Sequence, residues 1–317
     1  MPGAVTEAGG ERSGGRALGV LCALTSASMS ALYVTLARGI MDAGYHPFAI
    51  GCLYCAGCSA FMYARAIAAG RGREITRAVT HHGRRIAVIC CIGAMIQVLL
   101  LVGVALAGPV SQAILMRTDI LFTIVIGWVF LRIGIGPWHL LAIAVMLCGA
   151  WRTVGLSADA LRSAIESRAV AGHLLFLLAA LGFATNGFLI KGLLRSVRRE
   201  IVAALNVGGM SIAFLAGAFI TGTQDEIGGL LTDSRHVLAL ALTIAAQTLL
   251  YSAYYKALSS LQVWMVRVFW LTTPMTACLL SYAILRRPPT GHEVQGMALV
   301  VTGGAIAVAK LHTAPEE

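Results

Sequence analysis

Apolar stretches of about twenty residues, the length a helix needs to cross a bilayer, recur ten times along the chain. They cover residues 17–38, 47–67, 86–107, 110–131, 137–155, 170–191, 201–222, 237–257, 262–285 and 293–311. In hydrocarbon a backbone has to satisfy its own hydrogen bonds, so each stretch reads as a helix. The pattern predicts an all-α membrane protein with ten transmembrane helices. The first stretch is expected to stay as an anchor: it is long, its flank mixes Glu7 and Glu11 with Arg12 and Arg16, and a second stretch follows at once.

The polar segments orient the stack. The loop after the second span carries Arg65, Arg71, Arg73, Arg77, Arg84 and Arg85, and the loop after the sixth carries Arg195, Arg198 and Arg199. Basic loops stay in the cytoplasm, which puts both termini inside and predicts a multi-pass protein of the plasma, or inner, membrane. Composition agrees with the pattern: 58% of residues are hydrophobic, 12% are charged, and mean hydropathy is +0.81. The net charge of +10 sits in loops and not on one binding face, and no nucleic-acid motif is present, so no nucleic-acid partner is expected.

The chain also repeats itself. A shift of 150 residues lays Arg85 on Arg235, Gln97 on Gln247, Ala107 on Ala257, Gln112 on Gln262 and Arg117 on Arg267. After a four-residue insertion Leu131 and Arg132 match Leu285 and Arg286, and Gly149 matches Gly303; earlier, LARG from Leu36 matches LIKG from Leu189. The repeat spans five helices, an odd number, so the second copy enters the membrane from the opposite side. The expected organisation is a tail (1–16), a five-helix repeat (17–156), an external connection (157–169), an inverted five-helix repeat (170–312) and a tail (313–317). Two inverted repeats are the design of secondary transporters, in which one half rocks against the other around a midplane site.

Charged and amide side chains inside spans are costly and mark such a site. Arg117, Asp119 and Arg267 come first, with Arg117 and Arg267 flanking the midplane. If both lie on one helix, Arg117 and Asp119 point to nearly opposite faces, so Asp119 needs a cation from another helix, with Arg267 or Lys256 available. Two readings stay open. One is a structural ion pair that locks the halves. In the other, Arg117 and Arg267 grip a substrate carboxylate bidentately while Asp119 carries a proton or meets an amine. Gln247, Tyr251 and Tyr254 share one helix side, and Gln97 and Asn186 are further buried amides. Trp264 and Trp270 flank Arg267 and could set a ring beside a guanidinium. Pro274 interrupts its helix and frees the carbonyl of Trp270, a gate or a packing kink. Of the eight cysteines, Cys52, Cys55 and Cys58 line one helical face; without His or carboxylate partners they read as packing, and no metal or other cofactor is expected.

The segment from 107 to 150 and its partner from 253 to 305 resemble the paired modules of EamA-type transporters in the drug/metabolite transporter superfamily. The resemblance implies ten helices, cytoplasmic termini, and movement of small organic metabolites, often outward. One departure is clear: the Gly-Glu pair common after the fourth and ninth helices is replaced by Arg132-Ile133 and Arg286-Arg287. The combined expectation is a secondary exporter of a small metabolite, an amino acid or other carboxylate, with protons as a candidate coupling ion and a monomer or homodimer equally open. Efflux of drug-like or cationic compounds through Asp119 is the alternative. The chain has no GxxxxGK[ST], HExxH or GxSxG motif, so neither a built-in ATPase nor an intramembrane enzyme is favoured.

Overall fold

The computed structural model describes residues 4–132, 136–154, 169–276, 279–280 and 290–309. Among these the chain is all helix: α1 (Ala4–Asp42), α2 (Pro47–Ala68), α3 (Gly72–Leu115), a 3-10 turn (Met116–Thr118), α4 (Asp119–Leu131), α5 (Pro137–Val154), α6 (Ala169–Leu194), α7 (Arg199–Thr221), a short α8 (Gln224–Thr232), α9 (Ser234–Ser260), α10 (Val263–Trp270) and α11 (Gly291–Ala309). Six of these helices (α1, α2, α3, α6, α7 and α9) contain stretches long and apolar enough to cross a membrane.

The repeat is visible in how the helices end. α2 stops at Gly70, where φ is +71°, and the Arg71 amide reaches back to the Ala66 carbonyl at 3.0 Å. α7 stops at Gly222, where φ is +70°, and the Thr223 amide reaches back to Ala218 at 2.8 Å. This left-handed closure favours glycine, and it meets carbonyls that the last turn leaves unpaired. The two closures fall at equivalent places in the repeat.

Packing closes the symmetry. Matching α1 to α6, α2 to α7, α3 to α9, α4 to α10 and α5 to α11, the pairing of α1 with α9 is answered by α6 with α3. Likewise α2 with α9 is answered by α7 with α3, and α1 with α10 by α6 with α4. Three further pairs, α2 with α7, α4 with α10 and α5 with α11, join each helix to its own counterpart. Reciprocal contacts plus self-paired elements are what a two-fold axis between the halves produces. The α5–α11 crossing shows it at atomic scale. A Cβ on Gly149 would stand 2.7 Å from the Val300 nitrogen and 2.8 Å from the Gly296 oxygen, and one on Gly303 would stand 3.1 Å from the Met146 nitrogen and 2.8 Å from the Ala142 oxygen. Small residues let two backbones approach, which is how helices associate where lipid supplies no hydrophobic drive.

Two sequence boundaries move. The basic segment expected as a loop before residue 86 is helical from Gly72 onward, so α3 projects well beyond its apolar stretch. Its polar end can be helical outside the hydrocarbon because water satisfies its surface. The expected break at Gly108-Pro109 is likewise absent: α3 runs to Leu115 and the chain breaks at Met116–Thr118 instead. A helix in lipid keeps its ladder through a proline more readily than it exposes a broken end. The ninth apolar stretch, counterpart of the fourth, breaks too, at Leu271 and Thr272, just before Pro274, whereas α9, the counterpart of α3, already ends at Ser260. The expected external connection at 157–169 lies outside the described residues except for Ala169, which begins α6.

Candidate functional site

The break at Met116–Thr118 changes the geometry of the first candidates. Arg117 lies in the 3-10 turn and Asp119 opens α4, so the two are not on opposite faces of one continuous helix, and both reach α10 and the segment after it. Asp119 thereby stands where the α4 dipole favours a negative charge. Of the two cations open to it, Arg267 is the partner, with Nε 3.6 Å from Oδ2. That distance is an ion pair and too long for a hydrogen bond. The pair is sealed, with side-chain exposures of 0% and 1%.

The rest of Arg267 is held by backbone and rings. Its Nη2 donates to the Phe183 carbonyl at 2.7 Å. The guanidinium carbon lies 3.5 Å from the Phe183 ring centroid and 5.5 Å from that of Tyr254, a cation–π setting that strengthens once water is excluded. Gly187 makes the room, since a Cβ there would lie 2.8 Å from Nη2. Trp264, expected beside this guanidinium, instead donates its indole N–H to Gln262. Trp270 packs against Phe183 and Tyr254 and donates to Ser26 at 2.7 Å. The Trp270 carbonyl, freed by buried Pro274, accepts from Arg117 Nη1 at 2.7 Å and from the Thr273 hydroxyl at 2.7 Å.

A second polar cluster adjoins this one through Tyr254, whose ring meets that of Tyr255 edge-on at 5.7 Å. Gln97 donates to the Tyr251 hydroxyl at 2.9 Å, and Tyr251 in turn points at the Met210 sulfur at 3.3 Å. Asn206 donates to the Tyr255 hydroxyl at 2.7 Å. Gln247, the repeat mate of Gln97, is fully buried with neither amide atom hydrogen-bonded. Asn186 is buried with its amide oxygen unmet. An unmet buried polar group costs ~1–3 kcal/mol, so these amides hold hydrogen-bonding capacity that the protein itself does not use.

Next to this cluster a cavity of about 510 Å³ opens between the two halves. α1 supplies Cys22 and Thr25, one turn apart; α2 supplies Arg65 from its last turn; and the Gly70 closure places Arg71. From the other half come Arg199 and Glu200 at the start of α7, and Ser252, Tyr255 and Lys256 on one face of α9. Glu200 is shared by Arg199 at 3.1 Å and Arg71 at 3.8 Å. Among the described residues, Arg65 and Lys256 have no carboxylate partner. Arg117, Asp119, Arg267, Gln97, Gln247, Tyr251, Trp264, Trp270 and Pro274 do not line this cavity; Tyr255 stands between it and the buried cluster.

Sequence reading therefore marked the buried cluster and passed over the cavity. Along the chain its arginines read as topology signals, and nothing there says that residues 65, 71, 199 and 256 converge. Phe183 carried no signal of its own. Among the described residues no group of three His, Cys, Asp or Glu side chains is placed to hold a metal ion.

The fold itself is shared with known proteins. A protein of known crystal structure superposes with a TM-score of 0.72 over 95% of this chain and 98% of its own, at 18% identity, a likeness of fold alone. No curated protein matches the chain closely enough to count as a relative. The model of the EamA-like transporter family matches twice, over residues 17–155 and 170–309. With both helical repeats matched and six helices apolar enough to span a bilayer, the chain belongs to the EamA-like transporter family and is an integral, multi-pass membrane protein.

Proposed function

We propose that this chain is a ten-span secondary transporter of a small organic metabolite bearing a carboxylate, exported by alternating access between two inverted halves. The cavity between the halves carries this reading: four cations, Arg65, Arg71, Arg199 and Lys256, face one carboxylate, Glu200. Both termini and the mouth of this cavity lie on the cytoplasmic side, following the basic segments that line it. A cavity with excess positive charge raises the local concentration of anions at its mouth and opposes cations.

The buried clusters supply the rest of the cycle. Substrate passing Tyr255 meets the unused amide of Gln247 together with Gln97 and Tyr251. Separation of Asp119 from Arg267 then exposes Arg267 and Arg117 to the carboxylate, with Trp264 and Trp270 as neighbouring walls and the Pro274 break as the hinge. Both fourth helices of the repeats are interrupted here, and interrupted helices in matching positions are where such carriers bind. The alternative of a cationic drug is disfavoured because the cavity it would enter carries four cations against one carboxylate.

The test is flux in proteoliposomes against a panel of amino acids and other carboxylates, with and without a pH gradient. Carboxylate flux is expected, and the pair Arg65→Gln with Lys256→Gln should raise its KM about tenfold or more while leaving kcat near the unsubstituted value. Flux of cationic compounds only, or carboxylate flux indifferent to both substitutions, overturns the reading.

A further inference from the structure

A second hollow of about 510 Å³ lies away from the site, between α3 and α6, and is lined by Arg84, Arg85, Val88, Ile89, Phe188, Leu189, Gly192 and Leu193. Each helix offers the same i, i+1, i+4, i+5 strip, so two helical faces meet along a groove. Ile89 and Leu193 are its buried floor, while Arg84, Arg85, Val88 and Leu189 are its exposed rim. Gly192 leaves it open, since a Cβ there would have no neighbour within 4 Å.

The groove is polar at one end only. α3 leaves its basic segment at Arg84 and Arg85 and enters its apolar stretch at Val88, while α6 arrives from the apolar side at Phe188. The two guanidiniums thus sit at the membrane boundary, with an apolar channel running inward beneath them. Among the described residues neither has a protein partner. The repeat mates of Arg84 and Arg85 are Ser234 and Arg235, so the paired cations belong to one face of the membrane only. On the orientation proposed above, that face is the cytoplasmic leaflet, where anionic lipid gathers.

We infer that this groove is a binding site for an anionic phospholipid, whose phosphate pairs with Arg84 and Arg85 and whose acyl chain lies along Val88, Ile89, Phe188 and Leu189. A soluble phosphate shares the headgroup chemistry but has nothing to place in the apolar channel; a zwitterionic lipid fills the channel but brings a compensating cation to the guanidiniums.

Native mass spectrometry of the full chain in detergent tests this, with phosphatidylglycerol, phosphatidylcholine and glycerol phosphate as separate ligands. The expected result is retention of phosphatidylglycerol, with the other two held at least about tenfold more weakly. The double variant Arg84→Gln with Arg85→Gln should bind phosphatidylglycerol about thirty-fold more weakly, from two cations at the membrane surface. Arg77→Gln, at a different hollow with Glu74 and Arg198, should bind as before. All the substituted arginines are exposed, and the melting temperature in phosphatidylcholine checks that each variant is folded. Equal retention of phosphatidylcholine, equal retention of glycerol phosphate, or unchanged binding by the double variant each overturns the proposal. None of these outcomes depends on flux, so failure here and failure of the transport reading are separable.

Discussion

Burying Arg267 and Asp119 completely removes both ions from water, and a 3.6 Å approach without a hydrogen bond regains only part of that cost. The Phe183 carbonyl and the two rings supply more. Removing one partner of a buried pair leaves an uncompensated charge and costs ~3–5 kcal/mol. Asp119→Asn is therefore expected to lower the melting temperature of the detergent-solubilised protein clearly. Asp119→Asn combined with Arg267→Gln should melt higher than the sum of the single losses allows, and additive losses in this double-mutant cycle would show that the two do not interact. The sequence singled out both residues from their polarity within apolar runs. It did not single out Phe183, because a phenylalanine in a membrane helix is ordinary until a guanidinium is found 3.5 Å from it.

Between elements, the α5–α11 crossing depends on two glycines facing backbone. Backbone nitrogen and oxygen at 2.7 and 2.8 Å from a Cβ on Gly149 cannot swing aside as a side chain can, so the helices would have to separate. Gly149→Ala is expected to destabilise by ~1–3 kcal/mol, and Gly303→Ala by a similar amount, because the two-fold makes the sites equivalent. Thermal melts of the two single variants check this, and a loss confined to one of them would contradict the symmetry. The matching of Gly149 with Gly303 was legible in the sequence; that they meet at one crossing was not. The course of α3 was misread at this scale for a physical reason. The arginines before residue 86 argue against a membrane span but not against a helix, since arginine is a good helix former where water meets its side chain, and at the other end the cost of a broken end in lipid overrides Pro109.

For the molecule as a whole, the cavity between the halves gives a directional prediction. Cys22 is part of its wall, whereas Cys55 and Cys58 are sealed in the core. In a chain that keeps Cys22 alone, a membrane-impermeant thiol reagent is expected to label it from the cytoplasmic side, more slowly when a transported carboxylate is present. Labelling from the outer side alone would reverse the orientation. The sequence by itself determined the membrane class, the helical content, the duplication and the polar residues that could serve a site, since hydropathy, length and self-similarity are properties of the chain read in order. Only the tertiary structure decided that Asp119 pairs with Arg267 and not with Lys256, that Arg117 takes the carbonyl freed by Pro274, and that three arginines and a lysine from separate segments converge on one cavity. Those outcomes depend on which helix faces cross, and a two-fold between halves brings together residues more than a hundred positions apart that no local pattern connects.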